Sequence, residues 1–229
     1  MKHFYKYLAF ALLAVSCDKD EFRPPDIGLN YFPLRTGYYQ TYNVNETVYS
    51  EVAAPENRVY QLRVEVTDSF PNTGEAGYTY VVHRSKRASE NVAWQDLDTW
   101  QVRENDRELV VTEGNRPFVK LTFPVRKGNA WNGNKFNNLD ADEYEIQALD
   151  ESFTAGGTTF EQALVVNQEN NEDLIVYQDK REEVYARNVG LIYKQTTQLR
   201  YCTSDDCLGQ QKIKSGIIYK QEIIAYGVR

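Results

Sequence analysis

From Tyr38 onward the chain alternates apolar and polar residues with a period of two, the spacing that sends successive side chains to opposite faces of an extended strand. Residues 58–66, RVYQLRVEV, keep this alternation almost unbroken. A first strand is predicted over residues 38–49, and another over 78–83 after a turn built on Pro71-Asn72-Thr73-Gly74. Residues 92–103 carry Trp94 and Trp100 on a further strand. Residues 108–112 and 118–123 flank Glu113-Gly114-Asn115-Arg116-Pro117, a hairpin signal. Strands over 144–149, 160–167, 174–177 and 183–186 follow, and 191–201 with 213–226 close the chain as a hairpin. Residues 129–138, rich in Asn and Gly, read as a loop able to present polar groups to a ligand. No segment sustains a 3.6-residue period with caps, and seventeen Tyr, ten Phe and one Met favour strands over helices. The prediction is an all-β protein with few or no helices. Its antiparallel meander should form a strongly curved sheet or an open, partial β-barrel, since sequential strands tend to be neighbours.

Two hexapeptides recur. Phe32-Pro33-Leu34-Arg35-Thr36-Gly37 returns as Phe123-Pro124-Val125-Arg126-Lys127-Gly128, and Gly190-Leu191-Ile192-Tyr193-Lys194-Gln195 as Gly216-Ile217-Ile218-Tyr219-Lys220-Gln221. Pro cannot donate to a strand ladder and Gly supplies a turn, so each copy of the first repeat is expected to enter a strand at a sheet edge. The second repeat reads as two strand starts with packed Tyr and solvated Lys. Both are expected to be structural.

The N-terminus reads as a targeting segment. Lys2 and Lys6 mark a basic n-region, and residues 8–15, LAFALLAV, are apolar but too short to span a bilayer. The sequence Ala14-Val15-Ser16-Cys17 resembles the lipobox of bacterial lipoproteins, which implies cleavage before Cys17 and acylation of that cysteine. Several acyl chains together give stable anchoring where one is marginal. Lys19-Asp20-Glu21 resembles the export signal of Bacteroidota surface lipoproteins, implying an outer-membrane, surface-exposed location. The chain thus divides into a signal peptide (1–16), a lipidated cysteine and tether (17–30) and one all-β domain (31–229).

Charge and composition narrow the function. The net charge is −7, and of 26 basic residues the loss of Lys2 and Lys6 leaves 24 against 33 acidic ones in the mature body. That balance excludes nucleic acid, whose phosphates need clustered Lys and Arg. In an exported chain Cys202 and Cys207, five positions apart, are expected to form a disulfide across a turn. Zinc is a poor alternative for them, because a structural site takes four Cys or His ligands. His83 lies within an alternating strand without a Gly-x-Ser-x-Gly elbow, so a structural role is expected. Asp140, Asp142 and Glu143 offer carboxylates for calcium but lack the EF-hand pattern, and a solvated acidic turn is the plainer reading. No metal or cofactor motif is present, and none is expected.

The aromatic residues remain. Trp94, Trp100 and Trp131 can form a stacking platform or line a cavity, against the competing reading of core packing. Trp94 and Trp100, six apart, would share a strand face. Three stretches resemble a family of uncharacterised Bacteroidota lipoproteins: residues 31–37 (YFPLRTG), 123–134 (FPVRKGNAWNGN) and 183–194 (EVYARNVGLIYK). The resemblance runs from Tyr31 to the C-terminus, including Tyr226-Gly227, and implies no known activity. A looser likeness is to envelope lipoprotein carriers, whose curved sheet wraps an acyl chain. The leading expectation is a membrane-anchored, non-enzymatic binding module for a glycan, lipid or protein ligand. The alternatives are a periplasm-facing carrier of a hydrophobic ligand in a half-barrel, which would need a continuous apolar cavity, and a glycan-active enzyme.

Overall fold

The computed structural model describes residues 25–229. The signal peptide, Cys17 and the Lys19-Asp20-Glu21 segment lie outside the described residues. The body is one antiparallel sheet of twelve strands: β1 (Tyr38–Tyr49), β2 (Glu56–Pro71), β3 (Tyr78–Arg87), β4 (Gln95–Glu104), β5 (Glu108–Glu113), β6 (Arg116–Thr122), β7 (Ala130–Asn132), β8 (Glu143–Ala155), β9 (Thr158–Asp173), β10 (Tyr177–Ala186), β11 (Gly190–Tyr201) and β12 (Ile213–Val228). The order is β6-β5-β4-β3-β2-β1-β12-β11-β10-β9-β8-β7. Every strand pairs with its sequence neighbours except at one place: β6 and β7 do not pair, and β1 pairs with β12 instead. The curved sheet is therefore nearly closed into a barrel, with its two free edges meeting mid-sequence. The one helical element among the described residues is a 3-10 turn at Leu29–Tyr31.

That seam is bridged without a strand ladder. The Val119 amide donates to the Gly133 carbonyl at 2.9 Å, and the Trp131 indole Nε1 donates to the Val119 carbonyl at 2.9 Å. Asn137 Nδ2 donates to the Pro117 carbonyl at 2.8 Å. Trp131 also meets Tyr144 edge to face, with ring centroids 6.1 Å apart. These contacts cover edges that would otherwise offer bare backbone groups to another chain.

The two copies of the Phe-Pro-x-Arg-x-Gly segment each introduce six strands. Gly37 and Gly128 adopt φ of +82° and +84°, a conformation glycine takes at little cost. The turns match bond for bond: Tyr38 N to Arg35 O and Asn129 N to Arg126 O, both 3.0 Å. Each glycine amide donates at 2.8 Å to the sheet, one to Val66 O and the other to Ile146 O. The second copy leads into the edge strand β7, as expected. The first enters β1, which has partners on both sides, because closure against β12 removes that edge.

One end of the barrel is capped. Ile27, Phe32 and Leu34 pack with Phe123 and Val125 onto a core of Val66, Val102, Leu109, Leu121, Ile146, Leu164 and the fully buried Tyr31. Arg187 straps this cap by ion pairs to Asp26 and Asp150, both at 2.7 Å, and Tyr31 Oη donates to Asp150 at 2.7 Å. The folded body thus begins inside the stretch read as tether.

Other expectations shift locally. Of the strand expected at 174–177, Tyr177 opens β10 but residues 174–176 are a turn: the Asp173 carbonyl and carboxylate accept the Val176 and Ile175 amides, a side-chain-assisted turn that ends β9. Residues 129–138, expected to be wholly loop, contain the three-residue β7. The carboxamides there bond protein groups, with Asn132 Oδ1 accepting the Asn134 and Asp142 amides and Asn137 reaching across the seam. Cys202 and Cys207 have bonded sulfurs and Cα atoms 5.9 Å apart, closing the β11–β12 loop on itself.

The β8–β9 hairpin adds a partial outer layer. At its tip a Cβ on Gly156 would lie 1.9 Å from the Ile223 carbonyl oxygen, so only glycine permits this approach. Phe153 packs on Tyr193 and Phe160 on Tyr226. Beneath them Val184 and Ala186 of β10 are buried on the face opposite the lumen. On β1 and β2 the outer face is mostly polar, with Thr41, Asn43 and Asn45 beside Arg63, Gln61 and Val59. No helix of the described residues is long and apolar enough to cross a membrane.

Candidate ligand cavity and its ion network

The barrel interior holds a cavity of about 430 Å³. Its lower wall is apolar, made by Val66, Val82, Val102 and Val111 above the Phe32-Pro33-Leu34 cap. Toward the other end the lining turns polar, with Glu46, Thr196, Gln198 and Tyr219. The volume falls in the range of small-molecule sites, about 300–1,000 Å³.

Across the middle runs a buried ion network. Lys120 Nζ lies 2.9 Å from Glu113 and 3.0 Å from Glu183, and Lys194 reaches the same Glu183 oxygen at 2.9 Å. Tyr185 Oη donates to the other Glu183 oxygen at 2.5 Å. Two strands on one side, β5 and β6, are thereby tied across the lumen to β10 and β11. Burial alone would raise the Glu183 and Glu113 carboxyls, but the two ammonium groups outweigh it and hold both below the usual carboxylate range. Burial would lower Lys120, yet its two carboxylate partners raise it. Burial, and then the Glu183 charge, pushes the Tyr185 phenol well up. Glu113, Glu183 and Lys120 are therefore charged at neutral pH.

Arg84 also lines the cavity. The Arg84 guanidinium lies over Trp100, its carbon 3.6 Å from the ring centroid. Its Nη1 bonds Asp98 at 3.2 Å, and its Nε is buried without a partner.

The structure distributes the expected site residues unevenly. Trp100 lines the cavity. Trp131 serves the seam. Trp94 lies on the other face, between the guanidinium groups of Arg63 and Arg87 at 4.5 and 4.4 Å. Trp94 and Trp100 fail to share a face because β4 carries an extra residue, Leu97, between Asp96 and Asp98, which pair with Ser85 and Arg84. His83 is on the outer face, 3.3 Å from Asp96. Asp142 is engaged bidentately by Arg181 at 2.7 and 3.0 Å. Among the described residues the one gathering of three potential metal ligands is Cys202, Asp206 and Cys207, and its two sulfurs are bonded to each other.

Sequence reasoning missed the charged centre. Lys194 was expected in solvent, but Ile192 is an extra residue in β11 opposite β10, which turns Lys194 inward. Lys120 is likewise the extra residue in β6, between Val119 and Leu121, which pair with Val110 and Leu109. A lysine between two aliphatic residues in a strand was the available signal.

One further carboxylate is perturbed. Burial pushes Glu104, at the end of β4, up to about 7. An acid whose folded value is raised favours folding at low pH and loses that advantage as pH rises from its unfolded value of 4.5 through 7. Glu104→Gln is expected to stabilise the protein by on the order of 2 kcal/mol at pH 8 and by nothing measurable at pH 4, read by urea unfolding. A gain equal at both pH values would contradict this.

Comparison with known proteins adds the following. No protein-family model matches the chain, and no curated protein matches it significantly. Among solved structures, it is similar to an exported protein of Bacteroides fragilis described as having a YmcC-like fold. The identity is 12%, the TM-score 0.48, and the match covers 86% of this chain and 98% of that one. It is also similar to a protein of Parabacteroides distasonis described as a lipoprotein, with 10% identity, a TM-score of 0.45 and the same shares covered.

Proposed function

We propose that this protein is an exported, lipid-anchored binding protein that holds one small amphipathic molecule inside its barrel, without catalysing a reaction. The observation that supports this most is the lumen itself: an apolar pocket of about 430 Å³ ending in polar groups, where a sheet of this kind can equally be filled with side chains. A tail of the ligand would occupy the valine-lined half and its head the polar half. The reading joins the two expectations of a binding module and a hydrophobic carrier. The resemblance of residues 14–17 to a lipobox supports anchoring through Cys17, and Lys19-Asp20-Glu21 supports display at the outer surface.

The test uses the neutral fluorophore 1-aminoanthracene with the mature chain. One molecule per chain is expected to bind, and Val102→Trp, which places an indole in the apolar half, to abolish binding while the thermal melt is retained. Binding that survives in this variant, or no binding to either form, would sink the proposal. Display is tested separately by protease treatment of intact cells. Cleavage of the native protein, and protection when Lys19-Asp20-Glu21 is replaced by alanines, is the expected pattern.

A further inference from the structure

Most charges lining the lumen are already matched. Glu46 pairs with Arg58 at 3.3 Å, Glu113 with Lys120, and Glu183 with Lys120 and Lys194. Arg84 is matched too, by Asp98 at 3.2 Å, but through Nη1 alone. Among the described residues its one side-chain hydrogen bond is that from Nη1 to Asp98. The Nε–H and the Nη2 group, which share the opposite edge of the guanidinium, have no partner there, and Nε is buried. That edge is the two-donor fork that accepts carboxylate or phosphate oxygens in parallel. Contact with Trp100 and the bond to Asp98 hold the guanidinium in place, so little side-chain freedom is left to lose when an anion arrives. A buried donor left unpaired carries a penalty that a bound anion removes. Arg84 also sits at the border between the two halves of the cavity, with Val64 opposite it on β2 and Tyr219 among the polar lining groups.

We propose that Arg84 is the headgroup receptor of the cavity and that the ligand is an amphipathic anion: a carboxylate or phosphate monoester carrying an aliphatic tail. This deepens the binding function proposed above and rests on it. The anion accepts from Nε and Nη2, and the tail runs along the valine-lined wall toward Phe32 and Leu34. No bond is made or broken.

Calorimetric titration of the mature chain with decanoate, decyl phosphate and decanol, which share a tail, tests the assignment. Both anions are expected to bind about tenfold or more tightly than the alcohol, as charge-assisted hydrogen bonds imply. Arg84→Gln should erase that preference, and Arg84→Lys should restore part of it. Equal affinities for all three in the native protein, a measurement that needs no variant, overturn the headgroup assignment and leave the binding function standing. No binding of any of them, with no uptake of 1-aminoanthracene, overturns both. Inorganic phosphate and acetate form the last arm. If either binds as tightly as its decyl counterpart, the site takes a free anion and the amphipathic ligand is ruled out.

Discussion

Lys120→Met is expected to lower the unfolding free energy by about 4 kcal/mol at pH 7, because it leaves buried carboxylates without their cation. Lys120 is the one group that touches both Glu113 and Glu183, while Lys194 reaches only Glu183. Burial opposes the ionised form of each acid, and in the native protein the ammonium groups overcome it. Without Lys120 the burial contribution dominates at Glu113. The pH dependence should therefore change sign. In the native protein both acids sit below their unfolded value of 4.5, so their contribution is complete above pH 4.5 and fades as the pH falls below it. In the variant Glu113 rises above that value, so stability is greatest in acid and falls as the pH climbs through neutrality. Urea unfolding from pH 4 to 8 reads both slopes. A variant within 1 kcal/mol of native, or one with an unchanged slope, would show that the network is not what holds the two sides of the lumen together. Adding Glu113→Gln to Lys120→Met should recover part of the loss, since a neutral amide replaces a stranded charge.

The second large effect is expected at the seam. Trp131→Ala should destabilise by about 2–3 kcal/mol, below the cost of emptying a fully buried tryptophan site, because this one is only partly covered. Two links fail together: the edge-to-face contact with Tyr144 and the indole hydrogen bond to the Val119 carbonyl. Trp131→Phe keeps most of the packing and removes only the bond, for about 1 kcal/mol. The distinguishing measurement is amide hydrogen exchange. The Val119 amide, bonded to Gly133 across the gap, should exchange much faster in the alanine variant, while amides in the β1–β12 ladder should not. Uniform acceleration across the sheet would mean that the indole supports the whole fold rather than the closure between β6 and β7.

The strands were legible because most of the chain obeys a two-residue alternation, and β1 lies at Tyr38–Tyr49 as that alternation predicts. The interior chemistry was hidden because it sits where the alternation is interrupted. One extra residue in each of β4, β6 and β11 resets which side chains face inward. The first separates Trp94 from Trp100, and the others bring Lys120 and Lys194 into the lumen. A bulge leaves no mark that period-counting on one strand can read, because it is defined by the partner strand. Glu183 was obscured for another reason. In Glu183-Val184-Tyr185-Ala186 all four residues are buried, since the lumen covers one face of β10 and the β8–β9 hairpin the other. An alternating pattern with both faces covered assigns the polar residues to solvent when neither side is wet. The repeated Phe-Pro-x-Arg-x-Gly segment was visible throughout, but its role at the head of each six-strand half depends on a closure that no local signal encodes.

That closure has a consequence for how the chain can assemble. The first strand finds one of its two partners only in the last, with Tyr38 opposite Val228. Pairings between such distant segments are slow to form, since the whole intervening loop must be ordered first. A growing or translocating chain therefore cannot complete this sheet from its leading end, and truncation between Tyr201 and Ile213 leaves β1 and β11 with bare edges. The molecule stays threadable until nearly its last residue has emerged, as the export proposed above would require.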